Sequence, residues 1–211
     1  MKGRILILSP HVDDGELGCG GSIAKFIEEK NEVFYVALSA AEKSVPEGFS
    51  KDALRFEVLK ATEVLGIPKR NVQVLNFEVR EFPKNRQEIL ETLIKIRKDL
   101  NPDIVFTPSS KDLHQDHQTT TNEALRAFKK TASTILGYEL PWNNITFDTI
   151  AFIILEERHI KLKIKALQQY KTQQHREYLN PDFIMGLART RAVSVGAKYA
   201  EAFEVIRWVV R

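Results

Sequence analysis

One cysteine, Cys19, stands among 211 residues, so the chain cannot build an internal disulfide framework and suits a reducing compartment. Long apolar runs are missing. The opening "MKGRILILSPHVDD" offers only Ile5–Leu8 before charge intervenes, short of a signal-peptide core. The later stretch "ITFDTIAFIIL" is interrupted by Asp148 and falls short of the ~20 apolar residues of a membrane span. Charge of one sign is also lacking: 31 basic residues against 28 acidic ones leave +3, a mixed surface and not the basic stripe that binds nucleic acid. No repeat, linker or low-complexity segment divides the chain. These absences predict a cytoplasmic protein with neither a membrane nor a nucleic-acid partner. The length predicts a single domain over 1–211 with a sizeable core.

What is present alternates. "RILIL", "EVFYVAL", "VQVLNF" and "DIVFTP" read as strands, and helical patterns lie between them, from about Lys51 to Leu65 and over "RQEILETLIKIRKDL". After the fourth strand come the loop "SSKDLHQDHQTT" and a helix through about Ala132. Beyond Gly137 the pattern changes to a strand "TFDTIAFIIL", a basic amphipathic helix "HIKLKIKALQQYKTQQ", a less regular stretch around Asn180 and Pro181, and a closing strand "FEVIRWVV". The alternation predicts an α/β, Rossmann-like three-layer sandwich with a mostly parallel sheet. In such sheets ligands bind beyond the carboxyl ends of the strands, and two polar loops leave strands there, one at His11 and one at His114–His117.

The first loop, "SPHVDDGELGCGG", admits two readings. Its glycines suggest a phosphate cradle, but their spacing is neither G-x-G-x-x-G nor a Walker pattern, and Asp13, Asp14 and Glu16 would repel a pyrophosphate at the helix start. The glycines then serve a tight turn and close packing of the helix on the sheet. The other reading is a metal site. His11 and Asp14 lie on one loop, His114 and His117 on the other, and two histidines with one carboxylate and an open position make a hydrolytic zinc centre. Three of the five histidines fall in these two loops. Capping of the helix is the alternative role for Asp13 and Asp14.

"SPHVDDGELGCGG" together with "DLHQDH" resembles the LmbE/PIG-L family of zinc-dependent N-deacetylases, marked by an (A/P)-H-P-D-D-E opening and an H-x-D-H second motif. "LRFEVLKATEVLG" and "YAEAFEVIRWVV" resemble its later, softer motifs. Val12 departs from the family's proline and Gly15 from its usual glutamate; neither position supplies a metal ligand.

The resemblance implies a Zn2+ ion held by His11, Asp14 and His117, with Fe2+ or Co2+ accepting the same ligands. It implies Asp13 as general base on water, and His114, as a cation, stabilising the oxyanion and protonating the leaving amine. Asp116 joins this catalytic group by orienting an imidazole, helix N-capping being its alternative. Asp112 is expected in loop structure, its alternative a supporting role behind the metal ligands, and Arg55 as a substrate contact, its alternative an exposed salt bridge. His159 reads as surface, His175 as part of a variable substrate region, and Cys19 as a small buried residue within reach of thiol reagents. The implied reaction removes acetyl from an N-acetylglucosamine-type conjugate. Another amide or ester on the same centre is the first alternative, and a non-hydrolytic nucleotide-binding module the second. The part of the chain from about 138 is expected to shape the substrate site, and homo-oligomers, hexamers included, follow from the resemblance.

Overall fold

The run Ile5–Leu8 is buried on both sides, with Ile5 and Ile7 facing one apolar cluster and Leu6 and Leu8 the other, which is why it reads as unbroken hydrophobicity and not as an alternation. The structure is a computed structural model and describes residues 3–210. The run forms the centre of β1 (Arg4–His11), followed by α1 (Asp14–Glu28), β2 (Glu32–Ser39), α2 (Ala53–Val64), β3 (Val72–Val74), α3 (Arg86–Leu100), β4 (Ile104–Pro108) and α4 (Gln115–Phe128). Then come β5 (Thr134–Tyr138), β6 (Ala151–Leu155), α5 (Glu157–Leu167), α6 (Pro181–Val193) and β7 (Tyr199–Trp208).

One seven-stranded sheet runs β3-β2-β1-β4-β5-β7-β6. Its first five strands in this order are parallel, while β7 runs antiparallel to both β5 and β6. Helices α1, α2, α5 and α6 cover one face and α3 and α4 the other, giving the three-layer α/β sandwich. Each fully buried Leu or Ile removes enough apolar surface to contribute about 1.5–3 kcal/mol. Strand order reverses between β1 and β4, so the loops leaving these two neighbours diverge and leave a crevice.

Two elements differ from expectation. The sheet gains β5, whose five residues "TILGY" follow α4 closely and include Gly137, so no period reveals them. The stretch around Asn180 and Pro181 opens α6: Asn180 Oδ1 accepts from Asp182 N at 2.8 Å as N-cap, and Pro181 takes the first helical position, where a missing N–H costs nothing.

Helix α1 breaks at Cys19 (φ −145°, ψ 25°). The amides freed beyond the break donate to the buried Glu201 of β7, Gly21 N at 3.0 Å and Ser22 N at 2.7 Å, and Lys163 Nζ neutralises that carboxylate at 2.7 Å. The helix lies very close to the sheet: a Cβ on Gly18 would stand 2.2 Å from the Tyr138 ring, and one on Gly15 2.7 Å from Tyr35. A glutamate side chain at position 15 would therefore displace Tyr35, whose hydroxyl donates to the buried Glu16.

Candidate active site

The loop after β1 turns sharply at Asp13, whose φ of 86° places a non-glycine residue in the left-handed region. Its side chain makes no capping bond. Ser9 Oγ accepts Gly15 N at 2.9 Å, and Asp14 Oδ2 folds back to accept His11 N at 2.9 Å. Capping thus falls to Ser9. With the Gly15 amide taken and the first turn acidic, the helix start lacks the character of a phosphate cradle.

The loop after β4 brings His114 and His117 to the same place. His11 Nδ1 lies 3.1 Å from Asp14 Oδ2, His117 Nε2 lies 3.3 Å from the same oxygen, and the two nitrogens are 3.3 Å apart. Bonds of ~2.0–2.1 Å to one tetrahedral centre require donor separations of about 3.3 Å. The opposite ring atoms fix the tautomers. His11 Nε2 donates to Asp116 Oδ2 at 2.9 Å and His117 Nδ1 to Asp112 Oδ2 at 2.8 Å, so in the neutral rings that a metal requires both remaining lone pairs converge. His11, His114 and His117 also form a wider group of ring nitrogens within 4.8 Å of one another. The tighter triangle contains Asp14 in place of His114.

His114 is the N-cap of α4, its Nδ1 accepting from Asp116 N at 3.1 Å, which leaves the proton on Nε2. Burial and then the neighbouring His117 and His11 lower its pKa, which favours the neutral ring over the cation expected from the resemblance. Asp116 neither caps the helix nor lines the open cleft. Fully buried, it accepts from His11, Arg80 N and Phe82 N, and so positions an imidazole without meeting a reactant. Asp112, expected as loop structure, holds His117 and also accepts His114 N at 2.8 Å.

Charges at the floor are strongly shifted. Burial works against Asp14, but His117 and His11 outweigh it and hold the carboxyl well below the usual range. Burial also opposes a charged His117, yet Asp14 and Asp112 push its pKa up to about 10. Asp13 has no such partner: burial, then Asp14 and Glu16, drive it well above the ordinary carboxyl value, against the pull of Arg176 and His117.

A family model described as "PIG-L: GlcNAc-PI de-N-acetylase" matches residues 6–128, more than half of the chain and both loops of the site. The chain belongs to the PIG-L family. An uncharacterized deacetylase, YaiS, of Escherichia coli strain K12 is 27% identical over 173 residues, 80% of this chain and 90% of YaiS. The diacetylchitobiose deacetylase of Thermococcus kodakarensis is 31% identical over 123 residues, 54% of this chain and 45% of that enzyme. Among solved structures, the N,N'-diacetylchitobiose deacetylase from Pyrococcus horikoshii in complex with an inhibitor superposes with a TM-score of 0.79 at 22% identity, over 97% of this chain and 84% of that one. GalB of Pseudomonas putida KT2440, a 4-carboxy-2-hydroxymuconate hydratase, reaches 0.78 at 22% identity over 100% and 98%. A hydratase therefore shares the fold with deacetylases, and the reaction has to be argued from the site.

Seen as a PIG-L site, the cleft combines loops from both halves of the chain: His11, Asp13, His114 and His117 form its floor, and Arg80, Trp142, Gln173, Arg176 and Tyr178 line its walls. Sequence reasoning singled out none of these wall residues, although all but Arg80 lie in the part of the chain from about 138 that it expected to shape the substrate site. For Asp112 the sequence offered loop structure first and support of a metal ligand second, and its contact with His117 Nδ1, five residues on, has the geometry of the second.

Arg55, expected to meet substrate, is engaged elsewhere. Its Nη1 donates to Val74 O at 2.9 Å and Nη2 to Asn76 Oδ1 at 2.5 Å, with Glu42 at 3.8 Å, so it ties α2 to the end of β3. His159 is 3% exposed and not a surface group, because its Nε2 reaches Glu28 at 2.5 Å and its Nδ1 accepts Glu156 N. His175 is exposed and absent from the cleft wall, where its neighbour Arg176 stands. Cys19 has no exposed surface, and burial, then the Glu201 charge, raises its thiol pKa, both of which disfavour the reactive thiolate.

Proposed function

We propose that this protein is a metal-dependent N-deacetylase that hydrolyses the acetamide of an N-acetylglucosamine-type conjugate to acetate and the free amine. The observation that carries this reading is the triangle of His11 Nδ1, Asp14 Oδ2 and His117 Nε2, at 3.1 to 3.3 Å, with the unpartnered carboxyl of Asp13 in the same cleft. These three donors would hold a divalent ion; zinc suits mixed imidazole and carboxylate ligands, and iron(II) or cobalt(II) accepts the same set. When bound, such an ion supplies Lewis-acid polarisation of the acetamide carbonyl and brings the pKa of water toward ~7.

The chain's own residues do the rest. Asp13 takes the proton of the attacking water, a role favoured by its place in the cleft beside the donor triangle and by a carboxyl that is not spent on capping α1. His114, protonated on Nε2, hydrogen-bonds the oxygen of the tetrahedral adduct, where loss of one preorganised donor costs about 2.7–4 kcal/mol. As the C–N bond breaks, the proton held by Asp13 passes to the departing nitrogen and acetate is released. Asp112 and Asp116 keep the two imidazoles in the tautomers the ion needs.

The part of the chain beyond 138 shapes the substrate side of the cleft, a reading supported by Trp142, Gln173, Arg176 and Tyr178 on its wall. No helix of the described residues is long and apolar enough to cross a membrane, in keeping with work in the cytoplasm on a small conjugate. Assembly into a homo-oligomer belongs to the same reading and is supported by the exposed Ile150 and Ile154 at the open β6 edge.

The deciding measurement is acetate released from N-acetylglucosamine conjugates by zinc-loaded protein. Asp13→Ala should retain its zinc and lose turnover by ~10²–10⁴-fold. Near-wild-type rates in that variant would remove Asp13 from the role of base. No release from any conjugate with zinc bound would move the site to another amide or an ester.

A further inference from the structure

The closing strand carries two carboxylates for which the proposed reaction has no use. β7 runs against β5, with Phe203 opposite Tyr138, so its first half lies at the carboxyl ends of the parallel strands, the rim from which both site loops leave. Glu201 and Glu204 belong to that half, and both are buried. A carboxylate taken out of water persists only where its oxygens find donors, and the two find theirs in different places. Glu201 accepts Gly21 N, Ser22 N and Ser22 Oγ and faces Lys163, so it holds α1 beyond the break at Cys19.

Glu204 is directed at the metal loop. Its three donors are neutral and come from the two residues that follow β4. Ser109 Oγ and Ser110 N each reach Oε2 at 2.8 Å, and Ser110 Oγ reaches Oε1. These serines begin the loop that carries His114 and His117, and the loop turns on them: Lys111 N returns to Ser109 Oγ at 3.2 Å and Asp112 N to Ser109 O at 3.1 Å. The turn carries Asp112 into the interior, where one carboxylate oxygen accepts His114 N and the other faces His117 Nδ1. Hydrogen bonds thus lead without a gap from Glu204, through Ser109 and Asp112, to the imidazole of a metal donor.

The neighbouring chain is shaped for this contact. Gly137 stands opposite Glu204 in the β5–β7 pairing, and a Cβ there would lie 2.9 Å from Ser109 Cα and 3.0 Å from Glu204 Oε2. Ser109 N donates to Tyr138 O and, further along the loop, Leu113 N to Asn143 O, each at 3.0 Å. The loop is therefore held at its start and its middle by chain beyond residue 128, outside the segment that matches the family model.

We propose that Glu204 is a positioning residue of the metal centre, setting the start of the second loop so that Asp112 can hold His117. This inference rests on the metal reading of the site given above, and it extends the support of the floor to a strand 95 positions away from Ser109.

Cobalt(II) is the probe, since it accepts the same ligands and its visible bands report their geometry. Its affinity, measured by competition with a chelator, and the Tm of the metal-free protein are compared across variants. Glu204→Ala should bind cobalt about tenfold or more weakly and shift the bands, while Glu204→Gln, which keeps one acceptor oxygen, should recover part of the loss. Ser110→Ala, at an exposed position, removes a single side-chain bond and should cost about two- to tenfold. Added to Glu204→Ala it should cost nothing more, because its partner is already gone. Ser22→Ala is the control: it removes a bond to Glu201 on the same strand and should lower Tm while leaving cobalt affinity and bands unchanged. Wild-type affinity and bands in Glu204→Ala, or in Ser110→Ala and Glu204→Gln should the alanine variant not fold, would overturn the proposal whatever their Tm. So would an equal loss of affinity in Ser22→Ala, which would mark general destabilisation. Wild-type protein that takes up no cobalt would overturn the metal reading and this inference with it, whereas the other two outcomes overturn the inference alone.

Discussion

The floor of the cleft and its wall are built on opposite plans. On the floor, His11 is backed by Asp116, His117 by Asp112, and Asp14 is tied to the backbone of His11, so each donor has one atom held and one lone pair aimed inward. On the wall, Arg80 and Arg176 have fixed backbones and free heads, and Trp142 is 39% exposed against Tyr178. The floor comes from loops at the carboxyl ends of β1 and β4, pinned at the point where strand order reverses; most of the wall comes from irregular chain after β5. Preorganisation belongs where charge must be stabilised in a fixed geometry. On the deacetylase reading proposed above, chemistry belongs to the floor and selectivity to the wall.

The harshest way to break the comparison is to remove a floor donor. His117→Ala should abolish stoichiometric metal and with it activity, read by metal analysis of the purified protein and by acetate release. Retained metal at wild-type stoichiometry would take His117 out of the ligand set and favour the wider group with His114. A subtler break removes only the backing. Asp112→Asn and Asp116→Asn keep the shape but weaken the hold on tautomer and basicity, and each should cost about 10–100-fold in metal affinity, measured by competition with a chelator. If either variant bound metal as tightly as wild type, the carboxylate behind that imidazole would be no more than a loop anchor.

How much of this was legible in the sequence follows the same division. β1 to β4, the helices between them and the two polar loops announce themselves through local patterns, because buried parallel strands are apolar throughout and amphipathic helices repeat every three or four residues. Features that depend on distant partners did not. The five residues of β5 become a strand by pairing with β4 and β7, and the buried His159 finds its partner in Glu28, 131 positions away. α6 carries Gly186 and a mixed face, so only its Asn180–Pro181 start could have revealed it. The motif residues placed the site, but Asp116 could be assigned to His11 only once the fold had brought 105 positions of chain together. Nothing local distinguishes Arg80 or Arg176 from a surface arginine, since their significance lies in the cleft they share.

The smallest expected effect concerns the floor without its ion. In chelated protein His117 is raised from an unfolded value near 6.5 to about 10, so its contribution to stability is complete below pH 6.5 and is lost as pH rises through about 10. Asp14 is depressed, so its contribution is present above its unfolded pKa near 3.8 and disappears on acidification below that. Glu16, pushed up to about 7 mainly by burial despite its bonds to Tyr35 and Tyr170, adds a loss of stability as pH rises from 4.5 to 7 that is set chiefly by burial and only in small part by Asp14. The difference between loaded and chelated protein therefore isolates the triangle. With zinc bound, the His117 lone pair is committed and no proton remains there to lose, so the alkaline decline should vanish; at acid pH protons compete with the metal and the benefit of zinc should shrink. Thermal unfolding at pH 6 and pH 9, with chelator and with zinc, should show a zinc-dependent gain in Tm that is larger at pH 9 by several degrees. Equal gains at both values would mean that His117 carries no extra proton in the empty site, and that the floor is set for metal by its hydrogen bonds alone.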